Sequence, residues 1–155
     1  MPVDVAACAR AALSAAKVPA GVSVRTLGLE ALPPVLAAER SLALVFSNLV
    51  ENAVDAMGAS GTLVIGGAAH EGWVEVSVSD SGPGIAPELQ GRIFEFSFSH
   101  ASPARAGKLG FGLWWVKTLM ARLGGSVAVE SDGRQGTTFR LRLPRAELGG
   151  ARGNS

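Results

Sequence analysis

Asn48 and Asn52 stand one helical turn apart within Leu42–Met57, which reads LALVFSNLVENAVDAM. At about 100° per residue, Leu42, Phe46, Leu49, Val50, Ala53 and Met57 fall on one stripe of such a helix. Asn48, Glu51, Asn52 and Asp55 fall on another side, with Asn52 closest to the apolar edge. Both asparagines are neutral, so solubility does not call for them. An amide oxygen at the rim of a core is the type of ligand that a hard cation such as Mg²⁺ takes.

A second chemically suggestive residue is Asp80. Val74, Val76, Val78 and Asp80 share one face of an alternating stretch, and Glu75, Ser77 and Ser79 share the other. An ionised carboxylate turned toward a core is costly unless donors reach it. Thr137 opens the apolar face formed by Phe139, Leu141 and Leu143, so it is a natural neighbour of Asp80 through water. An exocyclic amino group on a purine would serve as an external donor. The alternative is that Asp80 only caps the turn that follows it.

That turn is Ser81-Gly82-Pro83-Gly84-Ile85, whose two glycines let a flat ligand lie against bare backbone. Downstream, Gly107-Lys108-Leu109-Gly110-Phe111-Gly112-Leu113 sets glycines directly before a helix. Amide N–H groups at that N-terminus, with the positive end of the dipole, would receive phosphates. The stretch is not a P-loop, because the Gly-Lys-Ser/Thr ending is absent.

The elements that must position these residues follow from periodicity and punctuation. Asp4 to Lys17 is alanine-rich and predicts a helix ending before Pro19. Val22 to Leu27 alternates and predicts a strand. Leu32-Pro33-Pro34 breaks regular structure, and the asparagine helix begins near Ala38. Strands are expected over Thr62–Ala69, Trp73–Asp80, Ser126–Ser131 and Thr137–Leu143, paired as two hairpins. Short and longer helices are expected over Glu88–Glu95 and Leu113–Leu123. Strands with one apolar face and helices with one apolar stripe predict an α+β fold. This is a two-layer α/β sandwich, its mixed, mostly antiparallel sheet covered on one face by about three helices.

With 155 residues the chain suits one domain, expected over residues 1–144, with residues 145–155 a Gly-rich, polar tail expected to fray. Fourteen basic and thirteen acidic residues give a net charge of +1, without a basic, aromatic-interleaved stripe, which argues against nucleic acid as a partner. The start Met1-Pro2-Val3-Asp4 lacks the basic opening of a signal segment, and no apolar run of about 18 residues is present. The expectation is a cytoplasmic domain without direct membrane contact. Cys8, the only cysteine, reads as a helix-packing residue.

Taken in order, Asn48-Leu-Val-Glu-Asn52, Asp80-Ser-Gly-Pro-Gly84, Ile93-Phe-Glu-Phe-Ser-Phe-Ser99, Gly110-Phe-Gly-Leu113 and Gly136-Thr137 resemble a known set of boxes. They resemble those of the catalytic ATP-binding domain of sensor histidine kinases. That domain lies within the ATPase superfamily that includes gyrase, the heat-shock chaperone ATPases and the mismatch-repair ATPases. The resemblance spans about Asp4 to Pro144. It implies ATP and Mg²⁺ as ligands, with Asn52 on the metal and Asn48 supporting the phosphate end as the catalytic pair. It implies that Asp80 accepts from the adenine amino group, with Gly84 beside the ring, Thr137 joining through water, and Gly82 and Ile85 also in the ATP-binding set. Asp55, Phe94, Lys108, Leu109, Gly110, Phe111, Gly112 and Leu113 complete the implied ATP-binding set. Residues from about Ser97 to Leu109 would form a lid over the nucleotide.

By the same resemblance, the γ-phosphoryl passes to a histidine on a helical dimerisation and phosphoacceptor domain, and from there to a response regulator. The chain holds only His70 and His100, neither in an acceptor pattern, so that domain is expected elsewhere. His70 reads as a solvated turn residue, and His100 falls in the lid. Three departures stand out. Lys108 replaces a frequent glycine, Asp55 occupies a position that is often basic, and Ser99-His100-Ala101 lacks the usual cation, which Arg105 could supply. Two other readings remain: a serine kinase of the anti-sigma-factor type, disfavoured by Asn48 where glutamate is usual, and a non-catalytic nucleotide-binding regulatory module. Trp114 lies opposite its helix's apolar stripe, and docking against the acceptor domain competes with shielding by the lid.

Overall fold

The computed structural model describes residues 2–95, 112–131 and 135–146. Strand β1 (Pro2–Val3) leads into helix α1 (Val5–Ala16), which Asp4 caps by accepting from the Ala7 amide at 3.3 Å. Lys17 ends α1 in a left-handed conformation, two residues before Pro19. Then come β2 (Val22–Leu27), β3 (Val35–Leu36) and α2 (Glu39–Met57). The hairpin β4 (Gly61–His70) and β5 (Trp73–Asp80) follows, then α3 (Pro87–Gln90) and α4 (Gly112–Arg122). A second hairpin, β6 (Ser126–Glu130) and β7 (Thr137–Pro144), closes the described chain.

The main sheet runs β2-β4-β5-β7-β6, with β2 parallel to β4 and every other pair antiparallel. The parallel pair arises because α2 crosses over between its strands. Three rungs of the covered face are apolar: Ile65, Val78 and Phe139 form one, Val76 and Leu141 another, Val74 and Leu143 a third, and all of these side chains are buried. Helix α2 lies at the centre of the helical layer, between α1 and α4. Its buried residues are Leu42, Val45, Phe46, Leu49, Val50 and Ala53, the expected stripe with Val45 added and Met57 at its margin.

The other face is open and polar. Arg140 bridges Glu75 at 3.0 Å and Glu130 at 2.8 Å, and the Ser79 and Thr138 hydroxyls bond at 2.8 Å. The Arg142 guanidinium stands 3.7 Å above the Trp73 ring, on which His70 stacks at 4.0 Å. His70 is therefore not merely a solvated turn residue: it ends β4, packs on Trp73, and its carbonyl accepts from Arg145.

Two further expectations change, at α3 and at the end of the described chain, while two expected features gain detail. Glu88–Glu95 is not one helix; α3 stops at Gln90, where Gly91, a poor helix former, begins turns that carry Ile93 into the core. The break at Pro33-Pro34 is followed by β3, which pairs with β1 because Val35 is drawn wholly inside. Strand β2 is an edge strand with only Val22 buried, leaving Val24 and Leu27 40% and 52% exposed. The ordered chain continues past Pro144, since the Arg145 and Ala146 amides donate to Gly72 and Pro34 carbonyls and Ala146 is buried. Residues from 147 lie outside the described residues, so the rest of the expected tail does too. No helix among the described residues is long and apolar enough to cross a membrane.

Cys8 is buried on α1, as its packing role requires, and burial, with Glu39 and Asp4 adding to it, pushes its thiol pKa upward. Less thiolate and less access both slow alkylation. Iodoacetamide should label Cys8 far more slowly in the native protein than in denaturant; equal rates would show that α1 opens freely.

Candidate nucleotide-binding site

The covered face of the sheet ends in a polar rung. Leu63, Asp80 and Thr137 lie side by side across β4, β5 and β7, and Thr137 is only 5% exposed. The expected closeness of Asp80 and Thr137 is thus a direct cross-strand pairing. Asp80 also caps the following turn, because its Oδ1 accepts from the Gly82 amide at 2.9 Å. A carboxylate offers about four acceptor positions, so capping and ligand contact are compatible on one side chain.

The loop after β5 is held on several sides. Ser81 Oγ accepts from the Thr62 amide at 2.9 Å, tying the loop to β4. A β-carbon on Gly82 would lie 3.1 Å from the Ala56 carbonyl, so this turn passes directly beside the last turn of α2. Gly84 has φ +85°, a conformation natural to glycine. On the far side, Gly136 has φ +92°, and a β-carbon there would fall 2.2 Å from the Asp80 carbonyl. The glycine before Thr137 lets β7 begin hard against Asp80.

Asn48 and Asn52 are both half-buried on α2, while Glu51 and Asp55 are exposed. Asn48 Nδ2 donates to the Leu44 carbonyl one turn back at 3.0 Å. Its Oδ1 is thereby turned toward the start of α4, where a β-carbon on Gly112 would lie 3.2 Å from it. Helix α2 therefore touches both glycine-bearing segments, Gly82 at its C-terminal end and Gly112 beside Asn48. The eight residue steps from Asn48 to Ala56 span about 12 Å of helix axis.

Not every expected residue contributes a side chain here. Leu113 is buried in the core, so only its backbone is available at the start of α4. Phe94 packs edge-on against Phe139 at 6.2 Å and lies below Lys117 Nζ at 5.9 Å. It lines a groove of about 680 Å³ together with Trp114, Lys117, Thr118 and Arg122. Trp114 is half-buried and stacks edge-on against Trp115 at 5.0 Å. Lys108, Leu109, Gly110 and Phe111 lie outside the described residues, as do residues 96–99, His100, Arg105 and the whole expected lid.

Two residues that sequence reasoning passed over hold the loop in place, Gln90 and Ser131. Ser131 directly precedes Asp132-Gly133, a turn signal that could have marked it; nothing in the sequence points to Gln90.

Among the described residues no group of three His, Cys, Asp or Glu side chains could hold a metal. Mg²⁺ fits such a wall only in its usual manner with nucleotides, through one or two protein oxygens with phosphate and water completing the shell. The half-buried amide oxygens on α2 have the right donor chemistry for that.

Residues 37–147 match the family described as histidine kinase-, DNA gyrase B-, and HSP90-like ATPase. The chain is 37% identical over 106 residues to the sensor histidine kinase DcuS of Escherichia coli strain K12, covering 67% of this chain and 19% of that protein. It is 34% identical over 115 residues to the adaptive-response sensory kinase SasA of Synechocystis, covering 73% and 30%. The chain thus spans less than a third of either relative. Full-length ShkA, solved in complex with AMPPNP, superposes with a TM-score of 0.78 at 30% identity over 96% of this chain and 32% of that one. The mycobacterial sensor histidine kinase MprB shares the fold, with a TM-score of 0.79 at 23% identity over 96% and 100% of the two chains.

Replacing Gly136 by alanine should cost about 1–3 kcal/mol from backbone strain alone, read as a lower urea midpoint. A variant as stable as the parent would mean that β7 can move away from Asp80.

Proposed function

The chain belongs to the histidine kinase-, DNA gyrase B- and HSP90-like ATPase family, and on that premise we propose that it is the ATP-binding catalytic domain of a two-component sensor histidine kinase. It binds Mg·ATP and delivers the γ-phosphoryl to a histidine on a separate helical dimerisation and phosphoacceptor domain, which passes it to a response regulator. One observation carries this reading. A single helix, α2, meets the Asp80–Gly82 turn at Ala56, near its C-terminal end, and the Gly112 helix start at Asn48, near its middle, the two contacts about 12 Å apart along the helix axis. That sets the Asp80–Thr137 rung and a helix N-terminus suited to phosphate at about the separation an extended nucleoside triphosphate spans. The AMPPNP complex of ShkA supports an adenine nucleotide as the ligand.

In this arrangement Asp80 accepts from the adenine amino group, and Thr137 joins it through water. Gly84 and Ile85 present backbone to the ring. At the other end, the amides opening α4 receive phosphate oxygens, aided by the helix dipole. Asn52 would hold Mg²⁺, which would supply neutralisation of the phosphate charge. Asn48, its nitrogen held by Leu44, presents an oxygen, which suits a cation or a donor rather than an anionic phosphate.

Phosphoryl transfer then asks little of the protein beyond positioning and charge neutralisation. An imidazole nitrogen of the acceptor histidine attacks in line; the N–P bond forms as the bond to the ADP oxygen breaks, and the imidazole proton leaves to solvent. The groove lined by Phe94 and Trp114 starts two residues from Gly112, next to where the γ-phosphate lies, so it is the docking surface for the acceptor helices.

Nucleotide titration tests the site. Asn52→Ala should abolish the Mg²⁺ dependence of ATP binding; equal dependence in both proteins removes Asn52 from the metal. Asp80→Asn should weaken ATP about tenfold and GTP less, because guanine lacks the amino group that Asp80 reads. A uniform loss across nucleotides would leave Asp80 only its turn-capping role.

Transfer is tested by mixing the chain with a phosphoacceptor domain and labelled ATP. Acid-labile label on histidine is expected; acid-stable label on serine, or none, would favour the serine-kinase or regulatory alternatives. Trp114→Ala should bind ATP as the parent does while transferring more slowly, and unchanged transfer would end its docking role.

A further inference from the structure

Gln90 and Ser131 belong to none of the boxes, yet they join the two loops that flank Asp80. Ser131 Oγ accepts from the Ile85 amide at 2.8 Å and donates to the Gly136 carbonyl at 2.8 Å. Gln90 Nε2 donates to the Ile85 carbonyl at 2.9 Å and to the Ser131 carbonyl at 2.7 Å. Both N–H bonds of the Gln90 amide are therefore spent on the clasp, and the single Ser131 proton is directed at Gly136.

The clasp also accounts for α3. That helix is four residues long and buries none of them, so packing does not hold it; its last residue, Gln90, does.

We propose that Ser131 and Gln90 are positioning residues that set the spacing between the Gly84–Ile85 backbone and the Asp80–Thr137 rung, and so determine how strictly the site selects adenine over guanine. This inference rests on the nucleotide-binding reading above. The chain of contact is continuous: Ile85 adjoins Gly84 on one wall, and Gly136 adjoins Thr137 on the other while lying against the Asp80 carbonyl. A base is read through hydrogen bonds that tolerate only small displacements of the supporting groups. Loosening the clasp lets the walls drift apart without removing any group that touches the ligand.

The test is calorimetric titration of the full chain and its variants with ATP and with GTP, with thermal unfolding recorded for each protein. Ser131→Ala removes both hydroxyl bonds. Gln90→Glu sets carboxylate oxygens against two carbonyl oxygens at a half-buried position. Both variants should bind ATP about tenfold more weakly, with the ATP-to-GTP affinity ratio falling toward one and the Mg²⁺ dependence retained. Ser131→Thr, which keeps the hydroxyl, should restore parental values. Variants that stay folded and keep the parental ratio, or that lose both nucleotides equally, overturn the clasp alone. A parent chain that binds neither nucleotide overturns the reading beneath it, and the clasp with it.

Discussion

A carboxylate on the inward face of a sheet constrains the rest of this molecule. Asp80 continues the line of Val74, Val76 and Val78, where an unsolvated charge would be costly. The fold meets that constraint by changing the chemistry of the last rung on the covered face. Helix α2 stops at Met57, the Gly82 turn passes beside its last carbonyls, and Thr137 rather than another aliphatic residue fills the adjacent position on β7. The Asp80–Thr137 rung is thus the place where the covered face turns polar, with Thr137 and the Gly82 amide as polar neighbours of that acid.

Helix α2 carries the complementary burden. Its apolar stripe is the centre of the helical layer, so the side bearing Asn48 and Asn52 is fixed by everything packed beneath it. Groups mounted on such an element keep their geometry better than groups on loops. The open sheet face contributes differently. Its Arg140–Glu75 and Arg140–Glu130 pairs are solvent-accessible, and pairs of that kind contribute about 0–1 kcal/mol. They keep the uncovered face polar, while stability comes from the layer between sheet and helices.

Much of this was legible because the signals are local and periodic. The α2 stripe follows a 3.6-residue period and the β5 and β7 faces a period of two, so the buried sets emerged with Val45 as the main omission from α2. The closeness of Asp80 and Thr137 followed from each extending an apolar face. What escaped prediction depends on partners far away in the chain. β1 and β3 are two-residue strands with no pattern of their own, made by pairing across more than thirty residues. His70 looks like turn punctuation until Arg145 is brought to its carbonyl and Arg142 to the Trp73 ring on which it stacks. The end of α3 is set by Gln90 reaching back to Ile85 and across to Ser131.

The amino-acid order alone determined which faces are apolar, where an acid must point inward, and which glycines stand beside it, since these depend on nearest-neighbour geometry and the helical and strand repeats. Only the tertiary structure decided that β7 inserts between β5 and β6, that Gly112 comes to rest against Asn48, and that a serine and a glutamine clasp the loops around Asp80. Such contacts are chosen by how whole elements pack and by which buried polar atoms then need partners. Neither quantity is written in any short window of sequence.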